Sequence, residues 1–142
     1  MRKLLLALLA AWAGGAATGC ASMTAVQMAD YKEMKAGGLA VQEKNPGAAA
    51  ALGVLPGGGS FYTRQYGLGV LDLLLWPYSV LWDPFIAYNE AEALNYSASR
   101  SHVRRIKSEQ MAELERQLED REIPQDEFIR RRRALDAQLH FE

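Results

Sequence analysis

The chain has 142 residues, with 16 Lys and Arg against 17 Asp and Glu, and a single Cys. This length fits one small domain or two subdomains and argues against a multidomain enzyme. The formal net charge of −1 lacks the basic excess expected of a dedicated nucleic-acid-binding protein. One Cys excludes a disulfide framework and a zinc site built from several cysteines.

The first 19 residues have the organisation of a secretory signal peptide. Residues 1–3 are Met-Arg-Lys, residues 4–13 are apolar, and residues 14–19 are small and flexible. A basic start, a short apolar region and small residues before a cleavage site are typical of such peptides. The apolar region is too short for a transmembrane helix, which needs about 20 residues.

Residues 17–20, Ala-Thr-Gly-Cys, resemble the lipobox of bacterial lipoproteins. The resemblance implies that the thiol of Cys20 takes a diacylglycerol and that Cys20 becomes the first residue of the mature chain. The alternative is an ordinary signal peptide followed by a free cysteine. Two or three acyl chains anchor a protein stably, since each buried CH₂ contributes about 0.8 kcal/mol. Because Ala21 and Ser22 follow where Asp would signal inner-membrane retention, the resemblance implies the outer membrane, facing the periplasm.

Composition divides the mature chain into three parts. Residues 20–47 carry the anchor Cys and are predicted to be a flexible linker with one marginal helix, ended by Gly37 and Gly38. Residues 48–95 are rich in Gly and aromatic side chains and predict a hydrophobic helical hairpin. Residues 96–142 are highly charged and contain two amphipathic patterns. We therefore predict a mainly α fold: a hydrophobic helical hairpin plus a charged C-terminal two-helix hairpin, lipid-anchored through the linker.

The hydrophobic part is poor in charge and short of a full membrane span. Between residues 46 and 88 only Arg64, Asp72 and Asp83 are charged. The longer apolar stretch, 67–82, would rise about 24 Å as a helix, against a hydrocarbon core of about 30 Å. This length suits a hairpin that dips into one leaflet, or a small buried helical pair. A carboxylate at the bilayer centre would cost about 2.5–3.5 kcal/mol, and far less near an interface or facing Arg64.

Residues 55–70 carry a Gly-rich stretch, then a Phe-Tyr pair, then a Gly-containing helix start. This order resembles the bacterial domain family with two transmembrane helices joined by a short loop, and residues 81–86 resemble the Trp-then-Asp ending of its second helix. Arg64 stands where that family usually has a small residue. The aromatic rings suit a membrane interface, with core packing as the alternative. The predicted hairpin and membrane-contact residues are Gly57, Gly59, Phe61, Tyr62, Arg64, Asp72, Trp76, Trp82 and Asp83.

The end of the chain resembles the bacterial short C-terminal domain (SHOCT) family. Residues 114–118 match its first helix, and residues 122–128 match its turn and its acidic-acidic-Phe entry into a basic second helix. The Gly that the family usually has near Arg121 is missing. The proline at position 124 places the helix break there, since proline is disfavoured inside helices. The resemblance implies an interaction or oligomerisation module, with Leu114, Leu118, Phe128 and Leu135 as predicted partner-contact residues.

No pattern in the chain points to catalysis or metal binding. The run Gly57 to Ser60 lacks both the Gly-Lys-Ser/Thr of a P-loop and the closing Gly of a nucleophile elbow, so Ser60 is interpreted as a turn hydroxyl. His102 and His140 lie in charged helical patterns and are expected to be solvated. The basic run 130–133 is interpreted as a solvated helix end. Its alternative is contact with anionic lipid headgroups or an acidic partner, at about 1 kcal/mol per charge.

The sequence therefore predicts a non-enzymatic, lipid-anchored cell-envelope protein without a cofactor, acting in membrane association and in protein interaction or oligomerisation. The membrane would be contacted through Cys20 and the apolar hairpin. An unknown envelope protein or a second copy would be contacted through the C-terminal helices, and no nucleic acid is expected. The alternative is a small lipid- or ligand-binding module of the envelope, in which 48–88 folds into an apolar pocket.

Overall fold

The structure, a computed structural model, describes residues 22–141. The predicted signal peptide and the lipid attachment at Cys20 lie outside the described residues. The described part is mainly helical, which confirms the predicted fold class at that level. Within residues 22–141, no helix combines the length and the apolarity needed to cross a membrane.

One long helix organises the fold. In chain order the elements are α1 Ala25–Ala36, α2 Pro46–Leu52, α3 Gly58–Tyr62, α4 Tyr66–Leu74, a 3₁₀ turn Tyr78–Leu81, α5 Asp83–Glu119 and α6 Gln125–Gln138. The long helix is α5, which contains 37 residues and is about 55 Å long at 1.5 Å per residue. Helices α1, α2, α3 and α6 pack along it, and α4 packs on α3.

The segment expected to be a flexible linker contains a capped and packed helix. Thr24 caps α1 and forms a reciprocal capping box with Gln27, which satisfies backbone donors at the helix start. The helix ends immediately before Gly37. Tyr31 and Met34 are buried against α5, with the ring of Tyr31 edge-on to that of Tyr96 at 6.2 Å between centroids. Apolar burial, rather than helix propensity, therefore holds this segment in place.

The irregular segment between α1 and α2 is hydrogen-bonded to two buried polar side chains of α5. Oδ1 of Asn95 accepts from the backbone N–H of Glu43 and of Lys44, at 2.8 and 2.7 Å, and its Nδ2 donates to the Lys44 carbonyl at 2.8 Å. One turn later, Oγ of Ser99 accepts from the N–H of Val41 at 2.8 Å. These hydrogen bonds pair backbone groups that have no partner within a helix.

The hydrophobic part consists of short helical pieces rather than two long helices. The residues that interrupt it are Pro56, Gly57 and Pro77, which fall between the elements, and Gly57 adopts the left-handed conformation with φ of 66°. Proline disfavours a helix interior, and glycine alone enters the left-handed region without penalty. Helix α5 continues without interruption across the expected boundary between residues 95 and 96, so the hydrophobic and charged parts share one helix.

Two groups of apolar side chains form the core. The larger one joins α1, the middle of α5 and the end of the chain through Tyr31, Met34, Tyr96, Val103, Leu135, Leu139 and Phe141. The smaller one consists of Ala49, Ala87 and Ala91, with Tyr62 packed against it. Small residues are required there because the backbones cross closely. A Cβ on Gly59 would lie 2.6 Å from Cβ of Ala87, and one on Gly53 would lie 2.6 Å from the nitrogen of Pro84.

The charged end of the chain forms the predicted pair of helices. Helix α5 ends at Glu119 and α6 begins at Gln125, directly after Pro124. Asp126 and Glu127 occupy the first turn of α6, where negative charge interacts favourably with the helix dipole. Arg121, in the connection, has φ of 60°, the conformation for which glycine is favoured.

Candidate functional site: an apolar surface above buried carboxyl groups

Large apolar side chains are exposed mainly on one segment of the chain. Among residues 22–141, fifteen large hydrophobic residues are exposed, and thirteen of them lie between residues 54 and 88. Single exposed apolar residues are ordinary, but such a concentration marks an interaction surface. We call it the apolar surface; its members are Val54, Leu55, Phe61, Tyr66, Val70, Leu73, Leu74, Leu75, Trp76, Tyr78, Leu81, Phe85 and Tyr88.

The apolar surface carries almost no charge. Of the three charged residues between 46 and 88, Asp72 and Asp83 are 1% and 0% exposed, which removes both from the surface. Only Arg64 remains outside, and it pairs with Glu43 at 2.8 Å rather than with either buried acid. Arg64 also has φ of 68°, a conformation that favours glycine.

A single hydroxyl connects the two buried aspartates. Oγ of the buried Ser60 lies 2.9 Å from Oδ2 of Asp72 and 2.9 Å from Oδ1 of Asp83. A serine hydroxyl has one hydrogen to donate. Both contacts are therefore hydrogen bonds only when one of the two carboxyl groups carries a proton. The other oxygen of Asp72, Oδ1, accepts from Nε1 of Trp82 at 2.7 Å. Ser60 therefore bridges the two aspartates through both contacts when one of them is neutral.

A third acid, Glu90, extends this polar cluster along α5. Its Oε2 lies 2.6 Å from Oγ1 of the buried Thr63, which in turn lies 3.2 Å from the carbonyl oxygens of Gly59 and Ser60. Thr63 also has only one hydrogen to donate. A neutral Glu90 that donates from Oε2 to Thr63 leaves the threonine hydrogen for a carbonyl, while Oε1 of Glu90 has no partner.

Burial is the main reason that Asp83 and Glu90 resist ionisation. It raises the pKa of Asp83, an effect opposed by the hydrogen bond from Ser60 and reinforced by the charge of Asp72. Burial also raises the pKa of Glu90, opposed by the hydrogen bond from Thr63 and reinforced by the charges of Asp83 and Asp72. Oδ2 of Asp83 and Oε1 of Glu90 are buried without a hydrogen-bond partner. Such an environment favours the neutral acid.

Three of the predicted hairpin residues, Gly57, Phe61 and Tyr62, form close contacts within or beside this segment. Gly57 precedes α3, and a Cβ on it would collide with the carbonyl oxygen of Gly69. Phe61 covers Gly69, whose added Cβ would lie 2.8 Å from Cδ1 of the phenyl ring. The hydroxyl of Tyr62 accepts from the N–H of Asn45 at 3.1 Å. Close backbone packing therefore holds α3 and α4 together and places Phe61 at the edge of the apolar surface.

The two tryptophans of the apolar segment, Trp76 and Trp82, have different environments. Trp76 is 52% exposed and belongs to the apolar surface, as expected for a contact residue. Trp82 is half-buried and uses its indole N–H to hold Asp72. Asp72, Asp83 and Trp82 thus fix the shape of the segment from within, while the exposed rings cover it.

The predicted partner-contact residues are partly used inside the chain. Leu135 is buried in the larger core group, and Leu114 packs against that group. Both line a groove of about 490 Å³ between α5 and α6, together with Gln117 and Arg131. Leu118 and Phe128 are half-buried near the helix connection. Contact with a partner through these side chains stays a prediction.

The remaining candidate groups have local partners. Arg130, Arg131 and Arg132 of the basic run pair with acids on α6 itself. His140 lies 3.8 Å from Glu33, and His102 lies 3.3 Å from Arg105. Among residues 22–141, no set of three or more His, Cys, Asp and Glu side chains is arranged to hold a metal ion.

Sequence reasoning missed Thr63, Glu90, Asn95 and Ser99 as buried polar residues. Glu90 lies in the predicted hydrophobic part 48–95, and only its position seven residues after Asp83 on one helix, hence on the same face, could have signalled burial. No protein-family model matches the chain, and neither a curated protein nor a solved structure shows significant similarity to it. The two family resemblances of the sequence therefore stay predictions.

Proposed function

We propose that this chain is a non-enzymatic, lipid-anchored protein of the cell envelope, whose apolar surface is a second membrane contact beside the lipid on Cys20. The observation that carries the proposal is the concentration of exposed apolar side chains between residues 54 and 88. Leaving so much apolar surface in water is unfavourable, at about 25 cal/mol for each Å². Burial of this surface would add to the attachment that the acyl chains on Cys20 provide.

Shallow insertion into one leaflet agrees with the shape of this segment. The helices between residues 46 and 82 are short, the longest being α4 with nine residues, and both acids of 46–88 are buried. The exposed aromatic rings, among them Tyr66, Trp76 and Tyr78, suit the boundary between headgroups and acyl chains. Placement in the outer membrane, facing the periplasm, rests on the residues that follow Cys20.

The charged pair formed by α5 and α6 is the proposed site of protein interaction or self-association. Its support is the groove lined by Leu114 and Leu135, with polar side chains at its rim. Cells making a Leu114→Ser chain should retain the membrane-bound protein but lose its cross-linked complexes. An unchanged cross-linking pattern would remove this part of the proposal.

Cell fractionation with carbonate extraction tests the two membrane contacts separately. We compare the natural chain, Cys20→Ser, and a chain in which Leu74, Leu81 and Phe85 are replaced by Ser. These three side chains are 72–74% exposed, so the replacements should leave the fold intact. Each buried Leu or Phe contributes about 1.5–3 kcal/mol, so the triple replacement in the Cys20→Ser background should release the protein at least about tenfold more completely.

The matched control replaces Val26 and Ile129, the two exposed large hydrophobic residues outside the apolar surface, with Ser in the same background. It should fractionate like Cys20→Ser alone. Equal release of the triple variant and this control would show that the apolar surface does not contact the membrane. Sedimentation of the released Cys20→Ser protein as a dimer, abolished by the triple replacement, would assign the surface to a second copy instead.

A further inference from the structure

Arg100 on α5 is a cation with an unsatisfied buried donor. Its Nε is buried without a hydrogen-bond acceptor, and the side chain forms no ion pair with any residue of the described part. Neighbouring arginines are either paired, as Arg105 is with Glu109, or exposed, as Arg104 is. A buried donor without a partner is unfavourable, and more so on a charged group. Because Nε itself is covered, an acceptor from outside the chain would pair with the guanidinium through its Nη atoms.

Arg100 lines a pocket with the composition of an oxyanion site. The pocket has a volume of about 360 Å³ and lies between the start of α1 and the middle of α5, within the usual range for small-ligand sites. Its polar lining consists of Ser22, Gln27, Ser97 and Arg100, and its apolar lining includes Met23 and Tyr96. No carboxylate contributes to it. A guanidinium beside hydroxyl groups is well suited to phosphate oxygens, which accept bidentate hydrogen bonds.

The position of the pocket favours a lipid as the source of the phosphate. Ser22 follows Cys20 by two residues, which span at most about 7 Å, so a lipid on Cys20 would bring the pocket to the headgroup layer. Phe85 of the apolar surface precedes Arg100 by fifteen positions on α5. At 100° and 1.5 Å per residue the two are offset by about 60° around the helix and about 22 Å along it. A helix lying along the membrane can therefore present both to it.

We propose that this pocket binds the phosphate of a phospholipid headgroup, with the guanidinium of Arg100 as its main ligand. Met23 and Tyr96 would contact the glycerol and the first methylene groups. The placement at a membrane rests on the proposed function, whereas the affinity of the pocket for a phosphate ester does not. Water-soluble probes can therefore test the site without a bilayer.

The experiment titrates the natural chain, purified in a maltoside detergent, with dihexanoyl phosphatidylglycerol, glycerol 3-phosphate and inorganic phosphate. Calorimetry gives the dissociation constants for the natural chain, Arg100→Gln, Arg100→Lys and Arg104→Gln. Arg104→Gln is the matched control, because it removes the same charge from an exposed place one turn along α5. Thermal unfolding without probe establishes that each variant is folded.

We expect the short-chain lipid to bind the natural chain and Arg104→Gln within about twofold of each other, and Arg100→Gln at least about tenfold more weakly. Arg100→Lys keeps the charge without the planar fork and should bind with intermediate affinity. Equal binding by Arg100→Gln, or no binding by the natural chain, would overturn the site. Equal affinity for all three probes, lost with Arg100→Gln, would overturn the lipid as the source and assign the pocket to a soluble phosphate. Failure of the proposed function would appear instead as release from membranes of the natural chain.

Discussion

The indole Nε1 of Trp82 donates a hydrogen bond to Oδ1 of Asp72 over 2.7 Å. This contact connects the end of the apolar segment to its middle and supplies a partner to a carboxyl group that is 1% exposed. Trp82 therefore has an internal structural role, although its residue type and position suit a membrane interface. The apolar surface depends on this internal bond for its shape.

Loss of the indole donor should destabilise the fold. In Trp82→Phe the buried Oδ1 of Asp72 keeps no donor, and we expect the free energy of unfolding to fall by about 1–3 kcal/mol. The matched control is Trp76→Phe, which changes an exposed ring and should shift stability by less than about 0.5 kcal/mol. Urea unfolding measures both. If Trp82→Phe costs as much in an Asp72→Ala background, where the acceptor is absent, ring packing rather than the hydrogen bond accounts for the loss.

The buried acids should make the protein more stable in mild acid than in mild alkali. Burial raises the pKa of Asp83 and of Glu90 in the folded chain, whereas unfolded Asp and Glu titrate near about 4. The folded state then binds more protons than the unfolded state. The stabilising contribution of these two acids is therefore fully present below about pH 4, and it is lost as the pH rises through the raised pKa values. Urea midpoints at pH 5 and pH 8 measure the difference.

Glu90→Gln is the control for this pH dependence, since an amide keeps the shape of the neutral acid and does not titrate. We expect its midpoint to fall less between pH 5 and pH 8 than that of the natural chain. The two chains differ only at position 90, so the comparison isolates this side chain. The pKa of Glu113 is lowered to about 2 by its hydrogen bond from Arg116, and its opposite effect lies below this pH window. Identical slopes for the two chains would contradict the assignment of a raised pKa to Glu90.

A methyl group on Gly59 should disrupt the contact between α3 and α5. The added Cβ would lie 2.6 Å from Cβ of Ala87 and 3.0 Å from Cα of Gly53, and overpacking of this kind costs about 1–3 kcal/mol. Gly67→Ala is the matched change on α4, where an added Cβ meets nothing within 4 Å. It should be neutral or stabilise by up to about 1 kcal/mol, because alanine favours the helix. Thermal unfolding of the two variants should give shifts of opposite sign or clearly different size.

Glycine at position 121 should stabilise the connection between α5 and α6. Arg121 has φ of 60°, a conformation that costs an L-residue with a side chain about 1–2 kcal/mol. Arg121→Gly removes this strain but adds freedom to the unfolded chain, so we expect a net gain of about 0.5–1 kcal/mol. Arg121→Ala removes the same charge and keeps the Cβ. A gain of equal size in Arg121→Ala would attribute the effect to charge rather than to the backbone.

Features set by residues close together in the chain could be predicted from the sequence. Helix starts and stops followed from local residue chemistry, as at Gly37 and Pro124, where the structure has the same breaks. The low charge between residues 46 and 88 followed from composition, as did the mainly helical character of the chain. Propensity, capping and proline sterics act within a few residues of one another, so they can be read without a fold.

Which side chains are buried depends on contacts between distant parts of the chain, and these are visible only in the folded structure. Ser60 meets acids that are 12 and 23 residues away, and Asn95 holds a segment about 50 residues earlier in the chain. The same packing turns the large apolar side chains of 54–88 outward and the aspartates inward, the reverse of what polarity alone predicts. Alanines and glycines pack so closely there that larger side chains cannot enter. The buried carboxyl groups are stabilised by hydrogen bonds with Ser60 and Thr63. Such pairings join distant parts of the chain, and no local pattern specifies them.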